Sequence, residues 1–299
     1  MNKIAFLFVA LAIGLLGCSS VADKIISKYD KDIVVWSSDG KKVNIDPGKT
    51  TTRNVHVNQH VTRLINSTSA DIEFMQGSPS VTITGPENII SKLEIVEKGN
   101  TLSVQLSRDV HVIDLSHVKL KISFPMVNEL TLQSSGDLTA ETIESDMLSI
   151  NLKGSGDLSI SKVSASSFKF FSQGSGDTSI GKVETSNFQA LTQGSGDLTI
   201  KIAEAVLTKL TIQGSSDIVI NSMQGTQLDA IVQGSGDLTL KGIEVTSFRA
   251  TSQGSGDISV AGLAATANLT VQGSGDIRAH RLKCDRVSKT TQGTGDISL

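Results

Sequence analysis

An aspartate preceded by glycine or serine recurs at Asp137, Asp157, Asp177, Asp197, Asp217, Asp237, Asp257, Asp276 and Asp296, at intervals of 20 residues broken once by an interval of 19. Around each lies Gln-Gly-Ser-Gly-Asp or a one-residue variant of it, usually followed by apolar, polar, apolar residues, as in Gln193-Gly194-Ser195-Gly196-Asp197-Leu198-Thr199-Ile200. Sixteen of the 27 glycines fall in this motif, so they mark a periodic structure and not scattered loops. A fixed period of this length confines the chain to repeat architectures.

The apolar positions keep phase with the aspartate. One and three residues after it stand Leu158 and Ile160, Leu198 and Ile200, Ile218 and Ile220, the alternation of a strand with one buried face. Six residues after it a second wall recurs as Ile143, Val163, Val183, Met223, Ile243, Leu263 and Leu282. A third set alternates before the next corner, as in Leu148-Ile150-Leu152 and Leu228-Ala230-Val232. Each repeat therefore supplies two strands, a short inward step and a Gly-Ser-Gly corner. One such turn cannot bury its apolar face alone, whereas stacked turns place equivalent strands in parallel about 4.8 Å apart. The reading is an all-β parallel β-helix with about 20 residues per coil and nine turns. Sandwiches need turn signals every 8 to 12 residues and propeller blades about 40 or more, so neither fits. Period-2 patterning excludes an α-solenoid, and the fixed Leu and Asn positions of leucine-rich repeats are missing. The glycine three residues before each aspartate is expected to let the backbone approach the core, and the one immediately before it to supply a positive φ. Ser134 and Ser216 show that one of the pair is dispensable.

Residues 1–17 read Met-Asn-Lys, an apolar run from Ile4 to Leu16, and Gly17, the layout of a cleaved signal. The run is shorter than the roughly 20 residues that span a bilayer. Leu15-Leu16-Gly17-Cys18 resembles the bacterial lipobox, which implies that Cys18 is lipidated, becomes the new N-terminus and ties the protein to a membrane. Residues 18–51 carry mixed charge and read as a lipid-anchored tether with a short hairpin at Ser38-Asp39-Gly40. Residues 52–130 alternate without the 20-residue phase and read as the irregular start of the helix whose regular part is 131–299.

Ser69-Ala70-Asp71-Ile72-Glu73-Phe74-Met75-Gln76-Gly77, Val81-Thr82-Ile83-Thr84-Gly85-Pro86-Glu87-Asn88-Ile89-Ile90 and Lys98-Gly99-Asn100-Thr101-Leu102-Ser103-Val104 resemble the opening of the head GIN domain, an auto-transporter adhesin head domain. The segment Val118-Lys119-Leu120-Lys121-Ile122-Ser123-Phe124-Pro125 and the Gly-Ser-Gly-Asp repeats after it extend the resemblance over about 52–299. It implies a single-stranded right-handed β-helix, a bacterial lipoprotein of Bacteroidetes type and a cell-surface role in adhesion. It brings no catalytic residues.

A column of nine carboxylates about 4.8 Å apart would repel by roughly 1 kcal/mol per neighbour in water, so it must be solvated or compensated. The structural reading has each carboxylate accept backbone N–H groups at its own corner, as in an Asx-turn. The functional reading is a cation ladder in the manner of calcium-binding β-rolls, but those carry an aspartate every nine residues and this chain one in 20. The glutamines Gln133, Gln173, Gln193, Gln213, Gln233, Gln253, Gln272 and Gln292 form a second column that stacked amides can join into a ladder.

Little else points to chemistry. His56, His60, His111, His117 and His280 form no His-Glu-x-x-His, and no Cys-x-x-Cys accompanies them. Gly-Ser-Gly lacks the strand-to-helix context of a nucleophile elbow, and Cys284 reads as an inert thiol. No cofactor, metal site or catalytic residue is therefore assigned. A net charge of −3 with one Trp and one Tyr argues against nucleic acid as partner. The sequence reads as a non-enzymatic, lipid-anchored cell-envelope protein, expected at the outer membrane. It is an adhesin or scaffold for glycan or a surface protein, with a polysaccharide lyase or glycosidase as the alternative. A last coil exposing unpaired strand groups without a polar cap adds end-to-end self-association to the expected contacts.

Overall fold

The computed structural model describes residues 33–37, 42–46 and 48–299. Its start is built from short strands. Strands β1 (Ile33–Ser37) and β2 (Lys42–Ile45) pair antiparallel across the expected hairpin, and β1 also pairs with β9 (Val110–Ile113). The strands β3 (Thr50–Val55), β4 (Arg63–Asn66), β5 (Asp71–Gln76), β6 (Ser80–Pro86), β7 (Leu93–Lys98) and β8 (Thr101–Leu106) join β10 (Lys119–Phe124) and β11 (Glu129–Leu132) in one sheet with everything that follows. A single turn of helix, α1 (Glu87–Ile90), buries Ile89 and Ile90 beneath β6. Antiparallel pairs of β6 with β3 and β10, and of β7 with β8, cover this end of the stack.

From residue 138 the repeat takes over. Strands β12 (Leu138–Leu152), β13 (Leu158–Ser172), β14 (Thr178–Thr192), β15 (Leu198–Ile212), β16 (Ile218–Val232), β17 (Leu238–Ser252), β18 (Ile258–Val271) and β19 (Ile277–Thr291) pair in parallel, each with the next, before the two-residue β20 (Ile297–Ser298). The result is a β-solenoid of about eight turns with roughly 20 residues per turn, and about two-thirds of the described residues are strand. Nine aspartates had suggested nine turns; the last of them stands only before the stub β20. Each repeat is one continuous ladder and not two separate strands. In β12 the alternation of buried and exposed residues slips at Glu141-Thr142 and near Asp146-Met147, where consecutive side chains face outward and the strand bends round the axis.

Inside, equivalent side chains form files. Leu198, Ile218 and Leu238 are register partners and fully buried. In another file Phe168 and Phe188 stack with ring centroids 5.3 Å apart and planes 9° from parallel. The files are not uniformly apolar. Thr178 lies between Leu158 and Leu198, 3% exposed, and its hydroxyl has no hydrogen-bond partner. An unsatisfied buried hydroxyl costs about 1–3 kcal/mol. Thr178→Val, which keeps the branched shape a strand favours, is therefore expected to stabilise the protein by about 1 kcal/mol, read as a higher denaturant midpoint at unchanged slope. A lower midpoint would mean that the hydroxyl is paired.

The 19-residue unit corrects one assignment. Opposite Lys241 and Gly242 the next coil has only Ala261, so Ile243 faces Gly262 while Leu263 faces Glu244. Leu263 is accordingly 51% exposed and not part of the second wall. Gly262 absorbs the missing residue with φ +127°, a backbone region that side chains disfavour.

The corner glycines are also used differently from expectation. None of those preceding an aspartate has a positive φ. Both glycine columns are stacked so closely that a Cβ would point into the carbonyl of the coil before: that of Gly194 into Gly174, that of Gly196 into Gly176. Close axial approach, not turn handedness, selects glycine. Ser216 does occupy one such place, fully buried and with a hydroxyl that lacks a partner.

Candidate functional site

The aspartate column is built by the corner. Because successive corners lie in register, each aspartate sits directly over the last, and its backbone N–H donates to the Oδ1 of the aspartate one coil earlier. These bonds are 2.7–2.9 Å long from Asp157 to Asp296. The acceptor thus serves the neighbouring coil and not its own corner, which replaces the Asx-turn reading. The column also runs one rung further than the repeat motif shows: Asp137 donates to Asp71 Oδ1 at 3.0 Å, and Leu138 and Ala140 pair with Ile72 and Phe74. Thr68 and Ala70 stand there in place of the two glycines, so the motif is hidden, although Ile72 and Phe74 keep the apolar phase. At the other end Arg278 stands two residues after the aspartate, where every other repeat but the one with Val219 has serine or threonine. It donates to Asp257 Oδ2 at 2.6 Å and to Asp276 Oδ2 at 3.1 Å, spanning two rungs.

This geometry separates the acceptor function of the column from its charge. Asp197→Asn keeps an oxygen for the Asp217 N–H and removes one repulsive charge, so its stability is expected to match or exceed the parent. Asp197→Ala loses the acceptor and is expected to cost about 1–2 kcal/mol. Equal losses in both variants, measured by chemical unfolding, would show that the charge and not the hydrogen bond is what the fold uses.

The glutamine column forms the amide ladder. Nε2 of Gln173, Gln193, Gln213, Gln233, Gln253 and Gln272 each donates to Oε1 of the next glutamine, at 2.6–3.4 Å. Lys153 interrupts the column between Gln133 and Gln173. On another face Glu184 lies between Lys162 (2.8 Å) and Lys182 (2.6 Å), and Lys182 reaches on to Glu204 at 3.0 Å. Hydrogen bonds from Lys162 and then Lys182 hold the Glu184 carboxyl at about 2, below its ordinary 4.5. A carboxyl held low in the folded state contributes stability that is complete above pH 4.5 and is lost as pH falls toward about 2. Glu184→Gln is therefore expected to lower the melting temperature modestly above pH 4.5 and to converge with the parent as pH falls toward about 2, which flattens the acid limb; an unaltered acid limb would refute it.

The residues with catalytic potential stay apart. His56, His60, His117 and His280 are exposed and dispersed, and Cys284 is a free thiol bonded to the Arg286 carbonyl. Cys18 lies outside the described residues. Among the described residues no three of His, Cys, Asp and Glu converge to hold a metal ion, and no helix is long and apolar enough to cross a membrane. An acidic concavity of about 690 Å³ lies where the irregular start meets the first coil and includes Glu73, Glu141 and Glu144. Glu73 is engaged by Lys121 at 2.8 Å, and the Gln76 side chain bonds both the N–H and the carbonyl of Glu144. A smaller groove of about 360 Å³ crosses β13–β15 between Lys169 and Lys209, over Phe171 and Leu191.

Fold and surface together define a parallel β-solenoid that displays columns of like side chains. Its sequence matches the family model described as "putative auto-transporter adhesin, head GIN domain" over residues 61–201 and 192–299, and the chain belongs to that family. A search of curated proteins finds no match. Among solved structures, a "putative lipid binding protein" from Parabacteroides distasonis superposes with a TM-score of 0.63 at 21% identity, covering 84% of this chain and 96% of that one. "Putative adhesins" from Parabacteroides merdae and Bacteroides fragilis superpose with TM-scores of 0.58 and 0.51 at 16% and 21% identity, each covering 84% of this chain and 97% and 96% of theirs. These likenesses establish a shared solenoid fold. The family is of adhesin type, which places the chain with surface or cell-envelope proteins.

Proposed function

We propose that this protein is a non-enzymatic adhesin, lipid-anchored through Cys18 to the outer membrane, whose solenoid presents its outward faces to glycan or protein on another surface. The observation that carries the reading is the uniformity of the columns. Each carboxylate accepts from the backbone N–H of the next coil's aspartate, each amide donates to the next glutamine, and Lys182 reaches Glu204 one coil on, so the polar surface is used to build a long, stiff display face. Adhesin-type relatives with the same fold support it. The test is adherence of beads coated with residues 19–299 to bacterial and host cell surfaces, against beads coated with an unrelated solenoid. Binding above that control is expected; equal binding would refute the reading. Anchoring is tested separately: Cys18→Ala is expected to abolish palmitate labelling and membrane retention, and retained labelling would contradict it.

The acidic concavity gives the enzymatic alternative its one specific observation. Lys121 on Glu73 counts against it, because the ion pair engages a carboxylate that a glycosidase would leave free for an acid or base role. Release of new reducing or unsaturated ends from a polysaccharide panel, abolished by Glu141→Gln, would establish the enzyme instead.

A further inference from the structure

Three outward columns share the face of β13, β14 and β15. The first reads Lys169, Gln189, Lys209; the second Phe171, Leu191, Thr211; the third Gln173, Gln193, Gln213. Lys169, Gln189 and Lys209 are exposed, whereas Phe171 and Leu191 are half-buried and form the floor of the groove between the lysines. Among the described residues neither lysine is within ion-pair distance of a carboxylate, unlike Lys162 and Lys182 round the corner. In the amide ladder each glutamine spends one N–H and one lone pair along the axis, which leaves a second N–H and a second lone pair for a ligand. The lysines are two coils apart, about 9.6 Å at the strand spacing, close to the advance of one disaccharide along an extended hexose chain.

Resting on the adhesin reading above, we infer that this face binds an acidic polysaccharide that carries one carboxylate per disaccharide. Lys169 and Lys209 pair with successive carboxylates, Phe171 and Leu191 pack against the C–H faces of the sugars between them, and the glutamine amides take the hydroxyls. Flat apolar contact flanked by hydrogen-bonding groups suits a pyranose, and the unpaired cations select for charge. The site is bounded one coil further on, where Asp229 stands in the lysine column with its carboxylate bonded to Gln227 at 2.8 Å. A polyanion must leave the groove before that point. At the other limit Lys153 replaces a glutamine and extends the positive charge.

Hyaluronan oligosaccharides, with one carboxylate per disaccharide, are the probe, and neutral dextran is the control. The protein is expected to bind hyaluronan and not dextran, more weakly as salt rises. Lys169→Gln/Lys209→Gln and, separately, Phe171→Thr are each expected to weaken binding about tenfold or more, while Lys241→Gln on a different face leaves it unchanged. Threonine already occupies the Phe171 column at Thr211, so that variant is compatible with the fold. Hyaluronan binding no stronger than dextran binding, or binding that the face variants leave intact, overturns the inference. Bead adherence of the parent protein separates the two readings: adherence without hyaluronan binding removes this ligand and leaves the adhesin, whereas absence of both removes both.

Discussion

Phe188→Ala is expected to lower the unfolding free energy by about 3–5 kcal/mol. The ring is 1% exposed, stacked on Phe168 below and facing Thr208 above in the same internal file. Truncation removes the stacked partner of Phe168 and leaves a cavity whose walls are pinned, because every coil is held to its neighbours by a parallel ladder on all sides. A core that cannot collapse suffers the larger share of the range seen for such substitutions. Lys169→Ala, on the outside of the same sheet, should fall within about 0.5 kcal/mol of the parent. Denaturant unfolding of the two variants measures both, and similar losses would mean that the files are not the core.

Gly194→Ala should cost about 3 kcal/mol although it adds a single methyl group. The new Cβ would overlap the Gly174 carbonyl and crowd the Gln173 backbone, and neither can move without opening the corner. Backbone dihedrals are not the reason, since Gly194 has no positive φ. Gly77→Ala is the matched control: a Cβ there meets nothing within 4 Å, so the change should be neutral or stabilising by about 0.4–1 kcal/mol. If both substitutions cost the same, the corners are not stacked at the distance described. Each glycine column admits one serine within the regular repeats, Ser134 and Ser216.

How much of this was legible in the sequence depends on which direction an interaction runs. Features that depend on phase within one coil were legible. The aspartate period, the apolar positions at one and three residues after it, and the glutamine column all map onto the solenoid as files and ladders. Features that depend on the relation between coils were not. The aspartate Oδ1 accepts from the next coil's N–H because the corners stack in register, and nothing in one repeat distinguishes that from a local Asx-turn. The glycines were assigned to φ for the same reason. Leu263 was misplaced because counting from Asp257 ignores where the shortened unit loses its residue, and only the pairing of Ile243 with Gly262 locates it. Asp71 escaped the motif because Thr68 and Ala70 hide the corner, yet its phase with Ile72 and Phe74 was visible. The groove over Phe171 and Leu191 was missed because those side chains alternate out of the buried set and lie in different repeats, so they become neighbours only through stacking.

The central claim is that successive units advance along one axis by a fixed step. Pairs of spin labels placed on the outward position two residues after the aspartate, with Thr139 as the common partner of Thr199, Thr239 and Ser259, measure that step by dipolar spectroscopy. The separation should grow linearly by about 4.8 Å for every intervening coil. Distances that fail to increase in proportion to the number of units between the labels would contradict the stacked solenoid and every surface column described on it.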